Sequence, residues 1–310
     1  MKFGEFMESI EEGIRELCED GEEIMIQKVQ GNNKTVRTGV SIRENGESEA
    51  VVVYLKDYYE RFQEGNMTIQ EAAEEIYRES HTHKVSILQK TVLENFEEAK
   101  GRIVYRLVDY GRNRELLKQI PYIPYCDLAV IFYLLIETNE NGRMTALIRN
   151  RHMNIWKTDA DTLYRLAADN TPRLLPPVLQ SMADVMKGTA REQVEEEDKE
   201  EFMDDFLEKT VRGLSLYVLT NRNGVHGAAA VLYDGVLKRF AKEKGSDLVI
   251  LPSSLHEVLL MPCTAETVPA KLQEIVREVN RTQLSKEEVL SNSVYLYSRE
   301  TNQVSLFCEG

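Results

Sequence analysis

The sequence predicts an α+β protein with antiparallel or mixed sheets, packed helices and two modules. Three observations carry that expectation. An amphipathic stretch leads into a meander of three short strands; two apolar runs near the C-terminal end bracket a polar hexapeptide; and a last pair of segments is joined by a tight turn. A charge-dense segment, residues 189–210, separates an N-terminal α+β module (1–188) from a C-terminal α/β module (211–310).

The elements follow in order. Phe3, Phe6, Met7, Ile10, Ile14 and Leu17 form one apolar stripe of a helix. EIMIQKV, KTVRTGVSIR and AVVVYL read as strands, separated by Gly31-Asn32-Asn33 and Glu44-Asn45-Gly46. Two helices are expected next, one carrying Ile69, Ala72, Ala73, Ile76 and Tyr77 on a face, the other Leu88, Val92 and Phe96. RIVYRLV is a strand. Pro121 and Pro124 punctuate the chain before DLAVIFYLLI, a long buried strand that MTALIRN should join across residues 139–142. Residues 161–168 are helical, with Thr171-Pro172 and Pro176-Pro177 marking loops.

Residues 189–210 hold ten acidic and three basic residues, with Phe202, Met203, Phe206 and Leu207 at helical spacing, so an acidic helical connector is expected. Beyond it LSLYVLT is a strand, NRNGVHG a loop, and AAAVLY either more strand or the start of a helix. Val236, Leu237, Phe240 and Ala241 stripe a helix ending at Gly245. Two apolar strands, residues 248–251 and 258–261, flank PSSLHE. Val268, Leu272, Ile275, Val276 and Val279 stripe another helix, and SVYLYSRE and QVSLFCE close the chain as a hairpin.

Composition narrows the function. The chain has 310 residues, 42% of them hydrophobic, with 8 prolines and 17 glycines, a balance that suits packed modules and not wholesale disorder. The longest apolar stretch has nine residues (128–136), far short of a membrane span. The first residues, MKFGEFMESIEEG, lack the basic start and apolar centre of a signal peptide. Cys18, Cys126, Cys263 and Cys308 form no CxxC pair, which fits reduced thiols in the cytoplasm. A net charge of −14 argues against direct binding of nucleic acid, and the short basic run Arg143, Arg149, Arg151 and His152 reads as a solvated face.

The candidate chemistry sits in two loops. Ser253, Ser254, His256 and Glu257 could supply a nucleophile, a base and an orienting carboxylate. In an extended strand Ser254 and His256 share a face about 7 Å apart, beyond hydrogen-bond reach, so a kink or an outside partner is needed. The GxSxG elbow of serine hydrolases is absent. The other reading is a structural turn, with serines capping backbone groups and His256 held by Glu257 or a backbone carbonyl. The second loop carries Asn221, Asn223, Gly224, His226 and Gly227; a helix opening near Ala228 could offer free N–H groups to an anion. Both interruptions follow apolar strands, so they are expected to gather at one sheet end with His226 and His256 in one cleft. His81 and His83 are spaced like a metal pair but lack acidic or cysteine partners; no metal and no cofactor is expected. Trp156 and Tyr164 read as core or rim aromatics.

The order N-x-N-G-x-x-G-A-A-x-x-L-Y (221–233), a helix, then L-P-S-S-L-H-E-V (251–258) resembles an uncharacterised bacterial family of the gut Firmicutes, known as a domain of unknown function. The stretch 3–59 is similar to the start of those proteins. The resemblance implies a bacterial cytoplasmic origin and a shared fold, and brings no mechanism with it. The function expected from the residues is a binding or regulatory protein acting through a protein or small-molecule partner. The alternative is a hydrolase-like enzyme centred on Ser254, His256 and Glu257; a third reading is an acidic mimic of nucleic acid.

Overall fold

A computed structural model describes residues 1–44, 52–82, 95–139, 142–185 and 215–309. They form an α+β protein in which every strand pair among the described residues is antiparallel. The chain divides into two units, Met1–Glu98 and Ala99–Gly310. The division differs from the expected boundary near residue 188. The physical reason is a strand over Pro177–Ser181, which pairs with Tyr217–Asn221 and so ties residues before the acidic segment to the sheet that follows it. The acidic segment itself, with its expected helix, lies outside the described residues.

In the first unit, helix α1 (Phe3–Leu17) buries Phe6, Ile10 and Ile14, spaced about a turn apart. It packs closely on α3 (Ile69–Thr82): a Cβ added at Gly13 would lie 2.9 Å from Ala73 Cβ, so only glycine lets the helices approach this far. Strands β1 (Glu22–Gln30) and β2 (Val36–Glu44) pair through their full length. Their turn uses Asn33 and Lys34 at positive φ, the left-handed conformation that asparagine tolerates. The expected third strand AVVVYL is a strand only at β3 (Val53–Tyr54) among the described residues; from Leu55 the chain is helix α2 (Leu55–Gln63), which buries Leu55 and Tyr58. Valine-rich patterning suggested strand, but the helical face packs into the same core as α1 and α3.

The second unit holds two sheets. One has the order β4 (Ile103–Asp109), β6 (Leu128–Asn139), β5 (Tyr122–Tyr125), with β7 (Gly142–Leu147) also on β6. The other has the order β13 (Gln303–Cys308), β12 (Val294–Ser298), β10 (Leu248–Pro252), β11 (Val258–Pro262), β9 (Tyr217–Asn221), β8 (Pro177–Ser181). Pro177 and Pro124, expected in loops, start or sit in strands: β8 and β5 each have one paired neighbour, the place where a strand tolerates a missing N–H. Helix α4 (Ala160–Leu174) likewise runs through Pro172 rather than stopping before it. Tertiary bonds hold its last turn: Thr171 Oγ1 donates to Ala167 O and accepts from the Tyr105 amide, and Asn170 Nδ2 donates to the carbonyls of Lys100 and Ile103. Helix α5 (Val236–Lys244) ends at Gly245 in the left-handed conformation, as the sequence predicts. Helix α6 (Pro269–Thr282) contributes Leu272 and Val276 to the core over the six-stranded sheet.

Asp127, in the β5–β6 turn, links the two sheets of this unit. Its Oδ2 accepts from the hydroxyls of Ser291 (2.7 Å) and Ser293 (2.9 Å), and its Oδ1 from Tyr295 (2.7 Å).

Candidate functional site

The two loops singled out by sequence do meet. Register explains it: Val258 pairs with both Pro252 and Leu219, so the start of β11 lies beside the ends of β9 and β10. Residues 253–257 and 222–226 therefore leave the sheet at the same end. The His226 amide donates to Nδ1 of His256 at 3.2 Å, and the two imidazoles lie 5.5 Å apart. Thr220 Oγ1 donates to the His256 carbonyl at 2.8 Å, and the Ala228 amide to Leu255 O at 3.2 Å. Gly227 makes the approach possible. A Cβ there would collide with Thr220 Oγ1 and lie 2.6 Å from both Asn221 N and His256 O.

Each side chain of the cluster serves the loops themselves. Buried Ser254 accepts the His256 amide at 3.0 Å, and the Ser254 amide donates to Glu257 O, an ST turn in which the hydroxyl faces the backbone and not the imidazole. Ser253 Oγ donates to Glu257 Oε1 at 3.4 Å. Burial pushes the Glu257 carboxyl above its ordinary range, against the opposing pull of the Ser253 hydroxyl and the nearby His256. Buried Asn221 donates to Val225 O and accepts from the amide of exposed Asn223, shaping the turn. Ser254, His256 and Glu257 are thus neighbours without the Ser–His–carboxylate chain of hydrogen bonds, and the partner of His256 is an N–H donor rather than the expected Glu257 or backbone carbonyl. The segment after the second loop is a six-residue 3-10 helix, Gly227–Leu232, whose Ala228 amide is already bound to Leu255, so it offers no anion seat.

A second feature of the same unit has the shape of a binding site. A cleft of about 370 Å³ opens between the start of α5 and the β12–β13 hairpin. Tyr125, Tyr164, Tyr233 and Tyr297 line it, with Asp234 and Lys238 among its charged residues. Behind them lies Tyr105, only 1% exposed, its ring 6.1 Å from those of both Tyr164 and Tyr233. The Tyr105 hydroxyl is fully enclosed and has no hydrogen-bond partner among the described residues. Burial pushes its pKa far up, and the adjacent Tyr233, Tyr164 and Tyr125 push the same way, so the phenol is held neutral among three residues of the cleft wall. Tyr233 itself is anchored through its hydroxyl to Leu175 O at 3.0 Å, and Tyr297 to Asn302 Oδ1 at 2.6 Å.

A family model matches residues 3–299 of the chain. The chain belongs to the family of unknown function DUF5688. No curated protein and no solved structure matches it. In this DUF5688 member, no helix among the described residues is long and apolar enough to cross a membrane, and no group of three or more His, Cys, Asp or Glu among them is placed to hold a metal ion.

His81 Nε2 lies 2.6 Å from Glu22 Oε1 and its Nδ1 lies 2.7 Å from Tyr77 O, near the end of α3; His83 lies outside the described residues. Trp156 is buried and stacks on His152, and Tyr164, read as a rim aromatic, lines the cleft. Sequence reasoning missed the cleft because its tyrosines come from positions 125, 164, 233 and 297, far apart in the chain. The one local signal was Asp234-Gly235 opening a helix whose first turn carries a lysine and no acid.

Proposed function

We propose that this protein is a cytoplasmic bacterial binding protein whose partner is a small molecule held in the tyrosine-lined cleft. One observation carries the reading: a cleft of about 370 Å³ lined by Tyr125, Tyr164, Tyr233 and Tyr297, with Asp234 and Lys238 as its charged residues. The cleft volume is at the lower end of the roughly 300–1,000 Å³ usual for ligand sites. The hydrolase reading draws less support, because the Ser254 hydroxyl is committed to the His256 amide and Glu257 turns to Ser253.

Ligand-observed NMR of the full chain against a library of neutral and charged metabolites tests the proposal. The control is Gln303→Trp, which places a bulky ring on the exposed rim of the cleft. Bound compounds should be lost in the variant while thermal stability stays unchanged. Binding that survives Gln303→Trp, or a library with no binder, would overturn it.

A further inference from the structure

Asn223 and Gly224 form an Asn-Gly step in the turn that follows β9. Asn223 is exposed, and its side-chain amide makes no hydrogen bond among the described residues. Gly224 sits at φ 66°, and a Cβ built on it would meet nothing within 4 Å, so its backbone nitrogen stands beside open space. A glycine nitrogen reaches the side-chain carbonyl carbon of a preceding asparagine with the least steric resistance, because no Cβ stands in the way. The turn holds that nitrogen back. The Gly224 amide donates to Asn221 O at 2.9 Å, and the Asn223 amide to Asn221 Oδ1 at 3.0 Å. Asn221, only 2% exposed, also donates from Nδ2 to Val225 O at 3.0 Å. Next in the chain, the His226 amide is bound to His256. A nitrogen whose N–H is given to a carbonyl keeps its proton and its place, so it attacks only when the turn opens.

We propose that Asn223 is a site of spontaneous deamidation, gated by opening of the turn 221–226 and taking water as its co-reactant. The Gly224 backbone nitrogen gives its proton to solvent and attacks Cγ of Asn223. The new N–Cγ bond closes a cyclic imide, the Cγ–Nδ2 bond breaks, and the leaving nitrogen takes up a proton and departs as ammonia. Water then opens the imide. Cleavage at the side-chain carbonyl restores the main chain with aspartate at position 223; cleavage at the main-chain carbonyl leaves the chain running through the side-chain carbons as isoaspartate. The balance is water in and ammonia out, with no change of oxidation state. Either product puts a carboxylate where a neutral amide stood, and isoaspartate also lengthens the main chain by a methylene. That segment leads to Gly227, where a Cβ would lie 2.6 Å from both Asn221 N and His256 O, so the added length disturbs the closest approach of the two loops.

The test follows Asn223 in the full chain at mildly alkaline pH, by peptide mapping with mass spectrometry and chromatographic separation of the aspartate and isoaspartate peptides. The same chain unfolded in guanidinium chloride is the reference. Asn223 should convert to both products in the folded chain, about tenfold or more slowly than in the reference. His256→Ala, kept at a temperature where circular dichroism shows it folded, should raise the folded-state rate about tenfold by freeing the His226 amide. Should that variant not fold, sub-denaturing guanidinium on the parent supplies the same reading: the rate should climb before the circular dichroism signal falls. Ageing should also lower the thermal midpoint of the parent more than that of Asn223→Ser. An Asn223 that stays intact in the folded chain through about a hundred half-lives of the reference overturns the site. Equal rates in the folded and unfolded chain, or a folded-state rate indifferent to both His256→Ala and sub-denaturing guanidinium, overturn the gate. Equal loss of thermal midpoint in the aged parent and aged Asn223→Ser overturns the effect on the loops.

Discussion

The backbone N–H of His226 donates to Nδ1 of His256 across 3.2 Å, joining two loops that are 30 residues apart in sequence. An acceptor at Nδ1 is a ring nitrogen without its proton, so the neutral His256 ring carries hydrogen on Nε2. The bond closes a set in which the His256 carbonyl also accepts from Thr220 and the His256 amide rests on Ser254. His256 is thereby held at ring, amide and carbonyl by its surroundings, the pattern of a residue that organises a sheet end.

His256→Ala should therefore lower stability by on the order of 1–3 kcal/mol, since it leaves the His226 amide without its acceptor. Urea denaturation measures the loss. Ligand binding at the tyrosine cleft should be unchanged at temperatures where the variant is folded. A variant as stable as the parent would show that the bond contributes nothing net.

Gly227→Ala should be worse than His256→Ala. The added methyl meets Thr220 Oγ1 and the backbone atoms Asn221 N and His256 O, none of which is the far end of a flexible side chain. Overpacking of this kind costs roughly 1–3 kcal/mol and occasionally more, and here the loops must part to accept it. Loss of the His226–His256 contact, read as changed amide shifts in both loops, should accompany the lower denaturation midpoint.

Asp127 concentrates three hydroxyl bonds on one carboxylate, with Ser291, Ser293 and Tyr295 each at most 3% exposed. Removing the acceptor strands buried donors that cannot reach water. Asp127→Ala should destabilise the second unit by roughly 2–4 kcal/mol, and Asp127→Asn should recover part of that by keeping one acceptor oxygen. Thermal denaturation of the two variants side by side checks the order; equal losses would mean that one neutral acceptor oxygen of the same size replaces nothing of the carboxylate.

Much of the fold was legible because its signals are local. Periodic stripes gave α1, α3, α5 and α6, and the buried runs and turn residues gave β1, β2, β6, β7 and the closing hairpin. The meeting of the two polar loops was also legible, since strands interrupted by polar residues in one antiparallel sheet leave it at a shared end. Three kinds of element escaped. Helix α2 hid behind a valine run, β5 and β8 hid behind prolines that edge positions tolerate, and α4 passed a proline because Thr171 and Asn170 are bonded to β4 and the segment before it. The tyrosine cleft was invisible for a different reason. Its four tyrosines, 125, 164, 233 and 297, come together only in three-dimensional packing and leave no spacing to read.

The last prediction concerns acid. Glu22 is nearly enclosed at its side chain, which is 6% exposed, and burial alone would raise its pKa. The His81 ring at 2.6 Å, the Glu19 amide at 3.0 Å and the Tyr77 hydroxyl at 3.2 Å outweigh that and hold the carboxyl below its ordinary value of 4.5. A carboxyl whose folded pKa lies below its unfolded one binds fewer protons when folded, so its contribution to stability is fully present above the unfolded value and disappears as the pH falls through the folded one. The amides of α3 and β1 should therefore lose hydrogen-exchange protection as the pH drops below about 4.5, after correction for the intrinsic exchange rate. Glu22→Gln should begin less stable at neutral pH and show a flatter dependence across that window, because the glutamine cannot gain the proton. His81→Ala should flatten it as well by removing the nearest favourable partner. If both variants keep the parent's slope, another carboxylate of the first unit is responsible and the Glu22–His81 contact is not what couples this unit to pH.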